Sequence, residues 1–140
     1  MTTPVWVLLG FAGWTLLVLS LSIGVYRWAL ILTGKMGISD FPADAVEGAD
    51  FYKRAMRAHA NCIENLPVYA AIVVAVRSAG LDDSTLDALS CTLLAARVVQ
   101  SLVHLCFVQT DRVVSVRFSC FSIQLVCMLW MGIRVLMAAL

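Results

Sequence analysis

The sequence predicts an all-α integral membrane protein, a single domain built as a four-helix bundle. Three observations carry that prediction. Of the 140 residues, 61% are hydrophobic and 14% charged, whereas soluble domains run nearer half and a quarter. The excess apolar surface must face something other than water, and lipid is the solvent that accepts it. A helix crosses the hydrocarbon layer with about 20 residues, so four crossings and their loops use almost the whole chain. Finally, the long apolar runs are separated by short stretches rich in glycine, proline and charge.

The first span covers about residues 4–33 and is apolar except for Tyr26 and Arg27. Its Trp6 and Trp28 fit the aromatic belts found at both membrane interfaces. Met1 to Pro4 carry no basic residue, and the apolar run is too long for a cleaved leader, so it reads as a retained span. A loop follows, broken by Gly34, Gly37, Pro42 and Gly48 and made acidic by Asp40, Asp44, Glu47 and Asp50. The second span, about 51–79, is polar in its first half and apolar in its second. After Gly80, Ser84 is the expected N-cap of the third span, about 84–108, with Asp87 at N3. A short turn at 109–112 leads into the fourth span, about 113–140.

Lys35, Lys53, Arg54 and Arg57 lie in or beside the first loop, and Arg112 and Arg117 flank the third, against Arg77 and Arg134 on the other side. The bias toward basic cytoplasmic loops then puts both termini away from the cytoplasm. A net charge of +1 gives no reason to expect nucleic acid as a partner. The five cysteines lack C-x-x-C spacing and sit in apolar stretches, so they read as small buried hydrophobes with no metal site.

Polar residues inside the spans carry the functional signal. In the second span Arg57, Asn61, Glu64 and Asn65 fall at i, i+4, i+7 and i+8, one stripe of a helix; His59 points roughly the other way. Pro67 removes the donor for the Ile63 carbonyl, which predicts a kink beside Glu64. The third span repeats the stripe with Arg97, Gln100 and His104, and the fourth opens with Arg117, Phe121 and Gln124 at matching intervals. A charge at the bilayer centre costs about 2.5–3.5 kcal/mol even on the lenient scale, so these groups must face a protein interior or a wet pocket. A structural ion pair, Glu64 with Arg57 or Arg97, is the bland alternative. It cannot absorb Arg27, Arg57, Arg97 and Arg117 together, because Glu64 is the only acid among them. Unpaired guanidiniums want an anion, preferably with carboxylates.

The stretch from Arg54 through Arg57, His59, Asn61, Glu64 and Asn65 to Pro67 resembles the second-helix signature of the MAPEG family, membrane-associated proteins of eicosanoid and glutathione metabolism. The four-span layout, the acidic first loop, Arg97 and Arg117 extend the resemblance over nearly the whole chain, and it is similar to the bacterial branch more than to the mammalian synthases. The resemblance implies a homotrimer in a bacterial inner membrane, with glutathione as co-substrate held between subunits near the cytoplasmic face. It implies that Arg57, His59, Asn61, Glu64 and Asn65 contact glutathione, that Arg97, Gln100 and His104 complete the pocket, and that Arg27 reaches it from a neighbouring subunit. Arg117 is implied to stabilise the thiolate, with Arg112 competing for that role. A lipophilic small-molecule substrate would enter from the membrane lipids, for conjugation or for reduction of a lipid hydroperoxide. His104 and Phe121 stand where eicosanoid synthases carry tyrosines, which argues against a dedicated synthase. Two rivals remain: a lipid-presenting member of the same family, and a small transporter. Cation transporters of this size place an acid in the first helix, and here that helix has none.

Overall fold

The structure is a computed structural model and describes residues 1–42 and 45–140; Asp44 of the acidic loop lies outside the described residues. Four helices are long and apolar enough to cross a membrane: α1 (Thr3–Leu32), α2 (Asp50–Ser78), α3 (Ser84–Cys106) and α4 (Asp111–Ala139). No strand occurs among the described residues. Trp6 and Trp28 are both exposed, and 22 residues of helix separate them, a rise of about 33 Å that matches the hydrocarbon thickness. The chain is an integral, multi-pass membrane protein.

The helices form where expected, with differences that have local causes. α1 is not uniformly α-helical: Leu19–Gly24 is a π-helical stretch, in which the Val25 N–H reaches back to the Ser20 carbonyl. Ser22 Oγ there donates to the Val18 carbonyl. α2 continues through Pro67 without interruption. It ends in a Schellman motif, with Gly80 N–H on the Arg77 carbonyl at 3.1 Å and Leu81 N–H on the Val76 carbonyl at 3.1 Å. Gly80 has φ +66°, a left-handed conformation that glycine takes without steric cost. The N-cap of α3 is Asp83 rather than Ser84: Asp83 Oδ1 accepts from the Thr85 and Leu86 N–H groups at 2.9 and 3.1 Å. Its other oxygen meets Arg134 Nη2 of α4 at 2.7 Å, so one carboxylate caps a helix and ties two helices together. α4 begins at Asp111, two residues earlier than expected, because Thr110 Oγ1 accepts from the Val113 N–H at 3.4 Å and caps the first turn.

α2 and α3 occupy the middle of the bundle and touch each other. α1 packs on both, α4 packs mainly on α3 and less on α2, and α1 and α4 lie on opposite flanks. The core gathers Val7 and Phe11 of α1, Tyr69, Val73 and Val76 of α2, Leu86 and Leu93 of α3, and Met128 and Met131 of α4. All these side chains come from the end of the bundle that carries the termini and the α2–α3 turn. Tyr69 donates its hydroxyl to the Pro4 carbonyl at 3.2 Å, so the polar tip of this buried ring is satisfied. Exposed Leu9, Leu16, Leu21, Val126, Leu129 and Leu136 cover the outer faces. Between helices in lipid, close packing and dispersion hold the bundle rather than exclusion of water.

Candidate functional site

The opposite end of the bundle, next to the α1–α2 loop and the α3–α4 turn, is hollow. A cavity of about 870 Å³ opens there, within the range of small-molecule sites. Its walls come from the first half of α2, the end of α3 with the following turn, and the start of α4. Asp50, Lys53, Arg54, Arg57, Asn61 and Glu64 form one wall. They lie on a single stripe of α2 because their spacings are threes and fours, apart from the adjacent Lys53 and Arg54. His104 and Gln109 face them from the α3 side, and Arg117 from α4.

Asn61 and His104 are joined across the α2–α3 contact, with Nδ2 and Nε2 3.1 Å apart. An amide nitrogen only donates, so Nε2 accepts and the ring proton sits on Nδ1. Nδ1 has no partner. The Nε atoms of Arg54 and Arg117 are buried and equally unpartnered. Among the described residues the one ion pair is Asp83 with Arg134, at the other end of the bundle. Glu64 therefore neutralises neither Arg57 nor Arg97. The cavity holds four cations, Lys53, Arg54, Arg57 and Arg117, against two carboxylates, Asp50 and Glu64.

The structure thus brings five of the expected residues together: Arg57, Asn61, Glu64, His104 and Arg117. Arg112 is exposed and off the cavity wall, whereas Arg117 lines it. The other expected residues lie elsewhere, each for a physical reason. His59 is on the opposite face of α2, beside the Thr15 backbone of α1. Asn65 is half-buried one position past Glu64, turned off the wall. Arg97 is completely buried behind it, with its guanidinium 5.5 Å from the centre of the Phe11 ring and with Nε and Nη2 unpartnered. Gln100 is buried between α3 and α4, its amide engaged with both Gln124 and the Arg117 carbonyl.

Arg27 does not snorkel outward. Its Nε donates to Tyr52 Oη at 2.7 Å, and its guanidinium lies 5.1 Å from the Phe41 ring centre and 5.6 Å from that of Tyr52. It lines an adjoining cavity of about 210 Å³ that shares Val46 and Met56 with the larger one. Tyr26 stacks on Tyr52 with centroids 4.6 Å apart and accepts the Ala49 N–H at 3.2 Å. Gly48, with φ +139°, passes so close that a Cβ would come within 3.1 Å of both the Tyr26 hydroxyl and the Tyr52 ring. This cluster fixes the end of the loop, and hence the position at which α2 begins.

Asp50, Lys53, Arg54 and Gln109 were not expected at the site. Extending the Arg57–Asn61–Glu64 stripe back by three and seven residues reaches Arg54 and Asp50. Basic residues beside a loop also report membrane orientation, so the stripe alone does not assign them to the cavity. The arrangement can hold a small ligand that carries more than one negative charge and one positive charge, with an amide or peptide group against Asn61.

A family model described as the MAPEG family matches residues 5–137, nearly the whole chain. No curated protein and no solved structure matches the chain.

Proposed function

The chain belongs to the MAPEG family, a family of membrane proteins of glutathione and eicosanoid metabolism, and from that premise we propose that it is a glutathione transferase, with reduction of lipid hydroperoxides as a second outlet for the same thiolate. The observation that carries this reading is the charge on the cavity. Four cations against two carboxylates leave two positive charges over. Glutathione in its thiolate form has two carboxylates, one ammonium and one sulfur anion, so it is complementary both in sum and in kind. Arg54, Arg57 and Lys53 match the carboxylates, and Glu64 or Asp50 the ammonium. Asn61, with its amide nitrogen spent on His104, offers its oxygen to a peptide N–H.

A free thiol with a pKa of about 8.5 is mostly protonated at neutral pH. A guanidinium cannot serve as the base. Arg117 instead stabilises the sulfur anion, and the proton leaves to water through the open end of the cavity. The thiolate sulfur then bonds to the electrophilic carbon of a lipophile, whose leaving group departs with the electron pair.

Arg57 and Glu64 are exposed in the single chain although they lie on a membrane-spanning helix. Leaving them against lipid is costly, which supports a homotrimer in which a neighbouring subunit closes the cavity. The cavity lies at the end of the bundle richest in basic residues, and the charge bias of membrane insertion supports reading that end as the cytoplasmic one.

The test is glutathione-dependent conjugation of a generic aryl halide by purified protein, with glutathione binding measured by calorimetry and the thiolate followed by its ultraviolet absorbance. Wild-type protein should give all three signals, and Arg117→Ala should lose the thiolate band while the assembly stays intact. An undiminished band in the variant would reject the role of Arg117. Binding of lipophiles without any glutathione binding would favour a lipid-presenting protein.

A further inference from the structure

Two buried glutamines form a polar chain that ends on the residue proposed to hold the thiolate. Gln124 Nε2 donates to the Cys120 carbonyl at 2.9 Å and to Gln100 Oε1 at 3.0 Å. Gln100 Nε2 in turn donates to the Arg117 carbonyl at 3.2 Å. The direction of this chain is not a free choice. The carbonyls of Arg117 and Cys120 only accept, so each must face an amide nitrogen. That leaves Gln100 Oε1 to face Gln124, and neither amide can flip without placing two acceptors in contact. Both glutamines are almost fully buried, at 4% and 1% exposure.

We infer that Gln100 is a positioning residue for Arg117, and that with Gln124 it sets the rotation of α4 that turns the guanidinium into the cavity. The inference rests on the functional reading above. Gln100 of α3 thus grips α4 at two points seven residues apart, the Arg117 carbonyl and the Gln124 amide, and the Gln124 bond to the Cys120 carbonyl fixes that amide on its own helix. Arg117 needs such a hold. It lies six residues from the start of α4, about 9 Å along the axis, close enough to the interface for its long side chain to reach the headgroups by snorkelling. Snorkelling is favourable for an unpaired guanidinium. Apolar packing restrains it weakly here, because Phe118 and Phe121 on either side are exposed. The clamp supplies the direction that apolar packing leaves open. Gln100 itself does not line the cavity, and its side-chain hydrogen bonds run to Gln124 and Arg117 of α4.

The experiment is Gln100→Met, which keeps the volume and removes both hydrogen bonds, compared with wild type and Arg117→Ala in glutathione affinity, thiolate absorbance and steady-state conjugation. With Arg57, Asn61 and Glu64 untouched, the affinity for glutathione and KM should change less than about threefold. The thiolate yield and kcat should fall about tenfold, the factor set by one net hydrogen bond. Gln124→Leu should give the same pattern more weakly, since Gln100 can still donate to Arg117, and it serves if Gln100→Met fails to assemble. Gln100→Met with full thiolate and kcat, while Arg117→Ala loses both, would overturn the inference and leave the proposed function standing. Raised KM with unchanged kcat would also overturn it, by making Gln100 a ligand contact. An undiminished thiolate in Arg117→Ala would remove the functional reading and this inference with it.

Discussion

The two ends of the bundle solve the burial problem in opposite ways. At the end with the termini, Val7, Leu86, Leu93, Val73 and Met131 fill the space between helices, and the charged pair Asp83–Arg134 closes the turn. At the end with the first and third loops the same helices enclose a void. Every orphaned buried guanidinium nitrogen among the described residues, on Arg54, Arg97 and Arg117, lies on the wall of that void or behind it, where Arg97 meets the packed end. An unpaired buried cation is destabilising, so the polar half gives up stability that the packed half must supply. Close packing and the polar cavity thereby lie at different ends of the same four helices.

Substitutions at the two ends should therefore move different observables. The largest effect belongs to the cavity. Arg117→Ala should lower turnover by about 10²–10³-fold, as loss of one preorganised anion-stabilising group does, with no change in the unfolding midpoint in detergent. Leu93→Ala should do the reverse. It should cost about 2–5 kcal/mol of stability, and activity per folded molecule should stay at the wild-type level. Falling turnover in step with stability would show that the halves are coupled. Arg97→Met tests the trade directly: removing a fully buried, unpaired cation should stabilise the ligand-free bundle by about 1–4 kcal/mol, read from the unfolding midpoint, while weakening glutathione binding in calorimetry. A destabilised variant would mean that Arg97 is already paired with an anion.

The smallest effect is expected at the Asp83 clasp. The N–H of Leu86, joined by that of Thr85 and by the charge of Arg134, holds the Asp83 carboxyl below the ordinary carboxylate range. A depressed folded-state pKa contributes stability that is complete above the unfolded value and is lost as pH falls through the folded one. Asp83→Asn should lower the midpoint slightly at neutral pH and flatten its acid-side decline. An unchanged acid limb would place the pH sensitivity on another carboxylate.

Most of the fold was legible because lipid imposes a simple code. Long apolar runs with breakers between them gave four spans, and their ends moved by only one or two residues. The errors at the caps came from competition among neighbours of similar chemistry: Asp83 and Ser84 can both cap, and the carboxylate wins because it also meets Arg134. The site was legible as stripes on each helix. Periodicity grouped Arg57, Asn61, Glu64 and Asn65, of which the first three share a wall and Asn65 turns off it. It also grouped Arg97, Gln100 and His104, of which His104 alone reaches the cavity. A stripe states which residues share a face, but not how deep along the axis the void extends. That depth depends on where neighbouring helices pack, and Phe11 from α1 closes over Arg97. The role of Gln100 was hidden for the same reason, since its partner is a backbone carbonyl on another helix.

The π-helical stretch of α1 has a consequence for how this membrane span tolerates insertion and deletion. Each residue of an α-helix advances the azimuth by about 100°, and a π turn carries a surplus residue. A π stretch turns less per residue and so absorbs its surplus residue. Deleting one residue between Leu19 and Gly24 would let the ladder revert to ordinary pitch with the phase kept. Ordinary pitch with every residue retained would instead swing everything after it by roughly a quarter turn. Tyr26 and Arg27 would leave the Tyr52 and Phe41 rings and face the acyl chains. The bulge thus works as a phase keeper: the lipid-facing pattern before it and the loop-anchoring pattern after it are in step only because the wider turn takes up the surplus residue between them.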